Sequence, residues 1–118
     1  MKYVVIQSHI SNYPEPIRLE KGDQVLIGNT YSGPENWKNW VYCRAEHDGR
    51  EGWVPEQIII RDKNDVGIVL ETYTAKELDV EIGDVLIGLK GLNGWIWCEE
   101  IKNEQAGWVP KQNVRLVK

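Results

Sequence analysis

The chain has 118 residues, 42% hydrophobic and 27% charged, which suits one ordinary globular domain or two very small ones. Fourteen basic residues oppose eighteen acidic ones, giving a net charge of −4 and no basic stripe for nucleic acid. No apolar run approaches the ~20 residues that cross a bilayer, and the N-terminal residues 1–7 turn polar too soon for a signal peptide. A cytoplasmic chain with no nucleic-acid and no membrane partner is expected.

Short β-favouring runs succeed one another between Gly, Pro, Asn and Asp. The first half offers Val4-Val5-Ile6, Val25-Leu26-Ile27, residues 40–44 and Ile58-Ile59-Ile60. Asp48-Gly49 is a hairpin signal that joins 41–45 to 50–54. The second half offers Ile68-Val69-Leu70, Val85-Leu86-Ile87, residues 95–98 and residues 114–117. No stretch keeps an apolar period near 3.6 over three turns, so only single-turn helices are expected.

The halves repeat one another. Trp40-Val41-Tyr42-Cys43 returns as Trp95-Ile96-Trp97-Cys98, and Gly52-Trp53-Val54-Pro55 returns as Gly107-Trp108-Val109-Pro110, each displaced by 55 residues. Upstream, Leu19-Glu20-Lys21-Gly22-Asp23 matches Val80-Glu81-Ile82-Gly83-Asp84, displaced by 61 because the loop at 29–39 is the longer one. The expected fold is all-β, two tandem five-stranded barrels at 1–61 and 66–118 with 62–65 as linker. Gly22-Asp23 and Gly83-Asp84 read as turns, since Gly accepts positive φ and Asp bonds local amides.

Side chains alternate along a strand, so Trp40 and Tyr42 share one face while Val41 and Cys43 share the other. Trp95 and Trp97 divide from Ile96 and Cys98 in the same way. The compact face is the natural core, with Cys43 and Cys98 as small buried residues. The aromatic face is then partly exposed and suited to recognition. The composition points the same way, with six Trp, five Tyr and no Phe.

These residues resemble the Src homology 3 (SH3) domain, twice over and in divergent form. The second repeat offers residues 69–75, then 77–84 ending in Gly83-Asp84, then Trp95, then Gly107-Trp108-Val109-Pro110. The first offers residues 5–11, then 17–23 ending in Gly22-Asp23, then Trp40, then Gly52-Trp53-Val54-Pro55. The resemblance implies SH3-like barrels whose shallow aromatic groove takes a proline-rich peptide, with an acidic loop for a basic ligand residue. By position it assigns Trp40 and Pro55 to one groove, and Tyr73, Trp95 and Pro110 to the other, with Trp53 and Trp108 at the edges. The loop acids are Glu15 and Glu77. His9 stands where the family has Tyr and reads as a partly exposed spectator. The second repeat, with Tyr73 beside Trp95 and Pro110, ranks as the better peptide binder.

Catalysis finds no foothold. Two cysteines are too few for a zinc site or a disulfide scaffold, and His9 and His47 lack partners at metal-ligand spacing. There is no phosphate loop, nucleophile elbow or His-Glu-x-x-His signature. Adjacent Glu99 and Glu100 point to opposite faces of a strand. The expected function is therefore a non-enzymatic module, without cofactor, that binds a proline-rich or basic protein or peptide. The rival reading is structural, an oligomerisation protein (a homo-oligomer) with its aromatic faces buried between repeats or in a homodimer.

Overall fold

The computed structural model describes residues 1–11, 15–31 and 39–118, and among these it is all-β. The long loop that carries Pro34 and Trp37 lies largely outside the described residues. In chain order the strands are β1 (Lys2–Val5), β2 (Arg18–Leu19), β3 (Gln24–Thr30), β4 (Trp40–Ala45), β5 (Glu51–Pro55) and β6 (Ile59–Arg61). They continue as β7 (Val66–Val69), β8 (Tyr73–Thr74), β9 (Val85–Leu92), β10 (Trp95–Glu100), β11 (Ala106–Pro110) and β12 (Val114–Leu116). Single helical turns at Glu56–Ile58 and Lys111–Asn113 follow Pro55 and Pro110.

The chain divides into two compact units, and the division is not the one that the repeat suggests. Unit 1 is Met1–Pro14 together with Lys76–Lys118, and unit 2 is Glu15–Ala75. The sheet of unit 1 runs β11-β10-β9-β1-β12, and that of unit 2 runs β5-β4-β3-β7-β6. The compact units thus differ from the sequence repeats 1–61 and 66–118: each repeat keeps its later strands and gives its leading segment to the other. Strand β1 pairs antiparallel with β9 and β12, while β7 pairs antiparallel with β3 and β6. Unit 2 is consequently a continuous segment that ends with the leading segment of the second repeat, β7 and β8, and is inserted in the sequence between the two parts of unit 1. The ladder in each sheet is open rather than closed, with β11 and β12 at the edges of one and β5 and β6 at the edges of the other.

The Gly-Asp turns form as expected and they hold the exchanged strands. In each, the Asp carboxylate accepts the amide three residues back, Glu20 N to Asp23 Oδ2 and Glu81 N to Asp84 Oδ2, both at 2.9 Å. Gly22 and Gly83 take φ of 94° and 95°, a conformation that costs glycine little. Their amides then donate to the leading strand of the other repeat, Gly22 to Val69 O and Gly83 to Val5 O, each at 2.8 Å.

Each unit has its own core. Val5, Leu78, Val80, Leu86, Ile96, Cys98, Val109 and Val114 make up that of unit 1, with Tyr3 packed against it. Ile17, Leu19, Val25, Val41, Cys43, Val54 and Val69 are buried in unit 2. The compact face of each Trp strand is therefore the inner one, as its alternation predicts. Burial raises both thiols, Cys43 from the ordinary 9.0 to about 12 and Cys98 to about 11, with Arg61 lowering the former slightly.

Candidate interaction surface

The exchange moves one of the residues that the sequence assigns to a groove, Tyr73, and leaves the others with their own repeat. Tyr73 lies in β8, pairs with Leu19 of β2, and belongs to unit 2 with Trp40, Pro55 and Trp53. Its hydroxyl donates to Trp53 O at 3.1 Å. Tyr73 and Trp95 therefore belong to different compact units. Trp95, Trp108 and Pro110 share unit 1 with the leading segment of the other repeat.

His9 occupies the corresponding place in unit 1. It bridges Val80 as Tyr73 pairs with Leu19, with His9 N to Val80 O at 3.0 Å and Val80 N to His9 O at 2.9 Å. Its ring meets Trp95 edge to face at 5.6 Å between centroids. Its Nε2 lies 2.6 Å from Glu77 Oε1, with only 15% and 12% of the two side chains exposed. His9 is a built contact rather than a spectator, and Glu77 is engaged within the fold. Nothing local in the sequence marks this pair, because 68 residues separate its members.

Asn113 is a second contact that no local feature of the sequence marks. It is 4% exposed, and its Nδ2 donates to Ser8 O at 3.2 Å. Its carbonyl accepts Ile6 N at 2.8 Å and Gln7 N at 3.2 Å, so it fixes the segment that follows β1. The equivalent position in unit 2 holds Ile58, an apolar residue 5% exposed.

The aromatic face is layered. Trp40 and Trp95 are 6% and 9% exposed, and Pro55 and Pro110 are buried beside them in the ladders, Trp40 opposite Pro55 and Trp95 opposite Pro110. These four form a floor rather than an open surface. One position further along each hairpin on the same face, Tyr42 opposes Trp53 and Trp97 opposes Trp108. Both pairs are edge to face, with centroids 5.2 Å and 5.4 Å apart, and Tyr31 makes a further such contact with Trp53 at 5.1 Å. Tyr31, Tyr42, Trp53 and Trp97 are half-buried, whereas Trp108 is 6% exposed. Backbone bonds on both sides of Trp108, its N to Lys76 O and Leu78 N to its O, draw it into unit 1.

A family model, the variant SH3 domain, matches residues 2–60 and again 66–117. The chain belongs to that family. No curated protein and no solved structure matches it. SH3 domains are generally protein-interaction modules and typically non-enzymatic. The family model matches each repeat along the sequence, and it is their leading strands that are exchanged in space. Among the described residues, no group of three His, Cys, Asp or Glu could hold a metal ion, and no helix is long and apolar enough to cross a membrane.

Proposed function

We propose that this chain is a non-enzymatic tandem SH3 module that recognises a peptide segment of another protein through the aromatic ladder of unit 2. The observation that supports this reading is the half-exposed cluster of Tyr31, Tyr42 and Trp53, in which both tyrosine rings meet the Trp53 ring edge to face. Such rings offer a large apolar area with little side-chain entropy to lose, and a polar edge for hydrogen bonds. Trp40 and Pro55 lie buried next to them in the ladder, Trp95 and Pro110 do so in unit 1, and the Tyr73 hydroxyl donates to Trp53 O. In unit 1 only Trp97 of the corresponding pair is half-exposed, and Glu77 is held by His9. Unit 2 is therefore the stronger binder and unit 1 the weaker.

The ligand classes to test are proline-rich peptides, whose extended helix suits a shallow aromatic surface, and basic peptides, whose cations suit ring faces. The experiment is an NMR titration of the full chain with each peptide class, following the Trp53 and Trp97 indole signals. Shifts at Trp53 that precede those at Trp97 are expected, and Trp53→Ala weakens binding by about 1–2 kcal/mol, as loss of one aromatic anchor does. Binding unaffected by Trp53→Ala would refute the assignment. Burial of Trp40 and Trp95 favours a framework role for those two rings.

A further inference from the structure

We infer that the strand exchange is specified by two reciprocal size pairs, Tyr3 with Gly88 in unit 1 and Gly67 with Ile27 in unit 2. The two leading strands are equivalent: Tyr3 opposes Leu86 in one sheet as Gly67 opposes Val25 in the other. The receiving strands are equivalent too, since Gly88 N donates to Met1 O at 2.8 Å as Ile27 N donates to Asp65 O at 2.7 Å. At matching places, then, one unit has a large residue on the leading strand and glycine on the receiving strand. The other unit has the reverse.

The fit is close in both. A Cβ on Gly88 would lie 2.5 Å from Tyr3 Cε2 and 3.0 Å from Cδ2, so the ring fills the space that a side chain at 88 would need. A Cβ on Gly67 would lie 2.9 Å from Ile27 Cδ1 and 2.5 Å from Ile59 Cγ2. The origin is visible in the sequence. Both receiving strands contain Val-Leu-Ile-Gly, at 25–28 and 85–88, but Gln24 follows Gly22-Asp23 where Val85 follows Gly83-Asp84 directly. The missing residue turns the tetrapeptide over. Val25 and Ile27 face inward in unit 2, whereas Leu86 and Gly88 take those places in unit 1. Unexchanged repeats would set Tyr3 against Ile27, overfilling one core, and Gly67 against Gly88, leaving a void in the other.

The test reads strand partnership by cross-linking in the full chain. Lys2 and Ile87 are ladder partners on the outer face, so K2C/I87C forms a disulfide on oxidation of the parent sequence and K2C/L26C does not. Leu26 is the partner of Val66, the equivalent of Lys2, so K2C/L26C reports the unexchanged chain. Y3G/G67Y mismatches both exchanged pairs and matches both unexchanged ones. In that background K2C/L26C is expected to cross-link and K2C/I87C to fail. Adding I27G/G88I reverses the sizes again, and is expected to restore both the parent cross-link and a cooperative melt at higher temperature than Y3G/G67Y. A folded Y3G/G67Y chain that still cross-links 2 to 87 would overturn the inference. Should Y3G/G67Y not fold, recovery of folding by I27G/G88I supports the inference and failure to recover it overturns it.

Discussion

His9 Nε2 and Glu77 Oε1 meet at 2.6 Å across the insertion of unit 2 in the sequence, tying the leading segment of unit 1 to its body. A hydrogen bond to a charged group in a partly buried place contributes roughly 1.5–3 kcal/mol. His9→Ala, which leaves the carboxylate without this partner, is expected to destabilise the chain by about that amount in urea denaturation. Glu77→Gln retains an acceptor for His9 and is expected to cost less. Equal losses for the two would show that the pair is not what matters. Trp95, in contact with the His9 ring, is expected to change its emission in both variants.

The two Gly-Trp-Val-Pro glycines are not equally replaceable. A Cβ on Gly107 would fall 2.7 Å from Leu78 N and 2.9 Å from Glu77 C, which are backbone atoms of a strand-like bridge. On Gly52 the nearest atom is a side-chain methyl, Ile17 Cγ2 at 2.9 Å. Gly107→Ala is expected to lower the melting temperature more than Gly52→Ala, since a rotamer adjusts more readily than backbone. The reverse order would contradict the packing described for unit 1.

Glu104 stands in its turn where the sister turn has Gly49, and both have positive φ, 55° and 77°. A left-handed conformation costs a residue with a Cβ roughly 1–2 kcal/mol. Glu104 is exposed, so Glu104→Gly removes no buried contact. It is expected to stabilise the chain by about 0.5–1 kcal/mol, after the greater entropy of glycine in the unfolded chain is counted. A lowered melting temperature would refute this.

Cys43 and Cys98 set an alkaline limit. Burial favours the neutral thiol in the fold, raising the two from 9.0 to about 12 and about 11. The unfolded chain therefore releases these protons at lower pH than the folded one. Their contribution is fully present below about pH 9 and is lost progressively as pH rises towards 11 and 12. Urea midpoints are expected to fall above pH 9, and less steeply in a Cys43→Ala, Cys98→Ala chain. At pH 8 a thiol reagent is expected to label the protein only as fast as it unfolds.

Local chemistry was legible in the sequence and partnership was not. The Gly22-Asp23 and Gly83-Asp84 turns, the Asp48-Gly49 hairpin and the inward Cys43 and Cys98 each follow from a few neighbouring residues. Assigning β1 to β9 rather than β3 requires weighing Tyr3 against Gly88 and Ile27, positions far apart in the chain and in two alternative pairings. The sequence alone therefore joins neither Tyr73 to Trp53 nor His9 to Glu77, contacts that the exchanged segments make. The alternation of Trp40 and Tyr42 identified a face correctly, but it cannot say how deep each ring on that face lies. Trp40 is buried and Tyr42 is half-covered, a distinction made by what packs against the strand and not by the strand itself.

Insertion of unit 2 between the two parts of unit 1 also decides how the molecule bears load. Residues Met1 and Lys118 both belong to unit 1, beside neighbouring antiparallel strands with Tyr3 opposite Leu116. Tension applied at Met1 and Lys118 peels β1 from β12 one residue pair at a time, the geometry in which hydrogen bonds resist least because they break singly. Unit 2 feels that tension only once the sheet of unit 1 has parted, so unit 1 is a mechanical fuse and unit 2 is the part it shields.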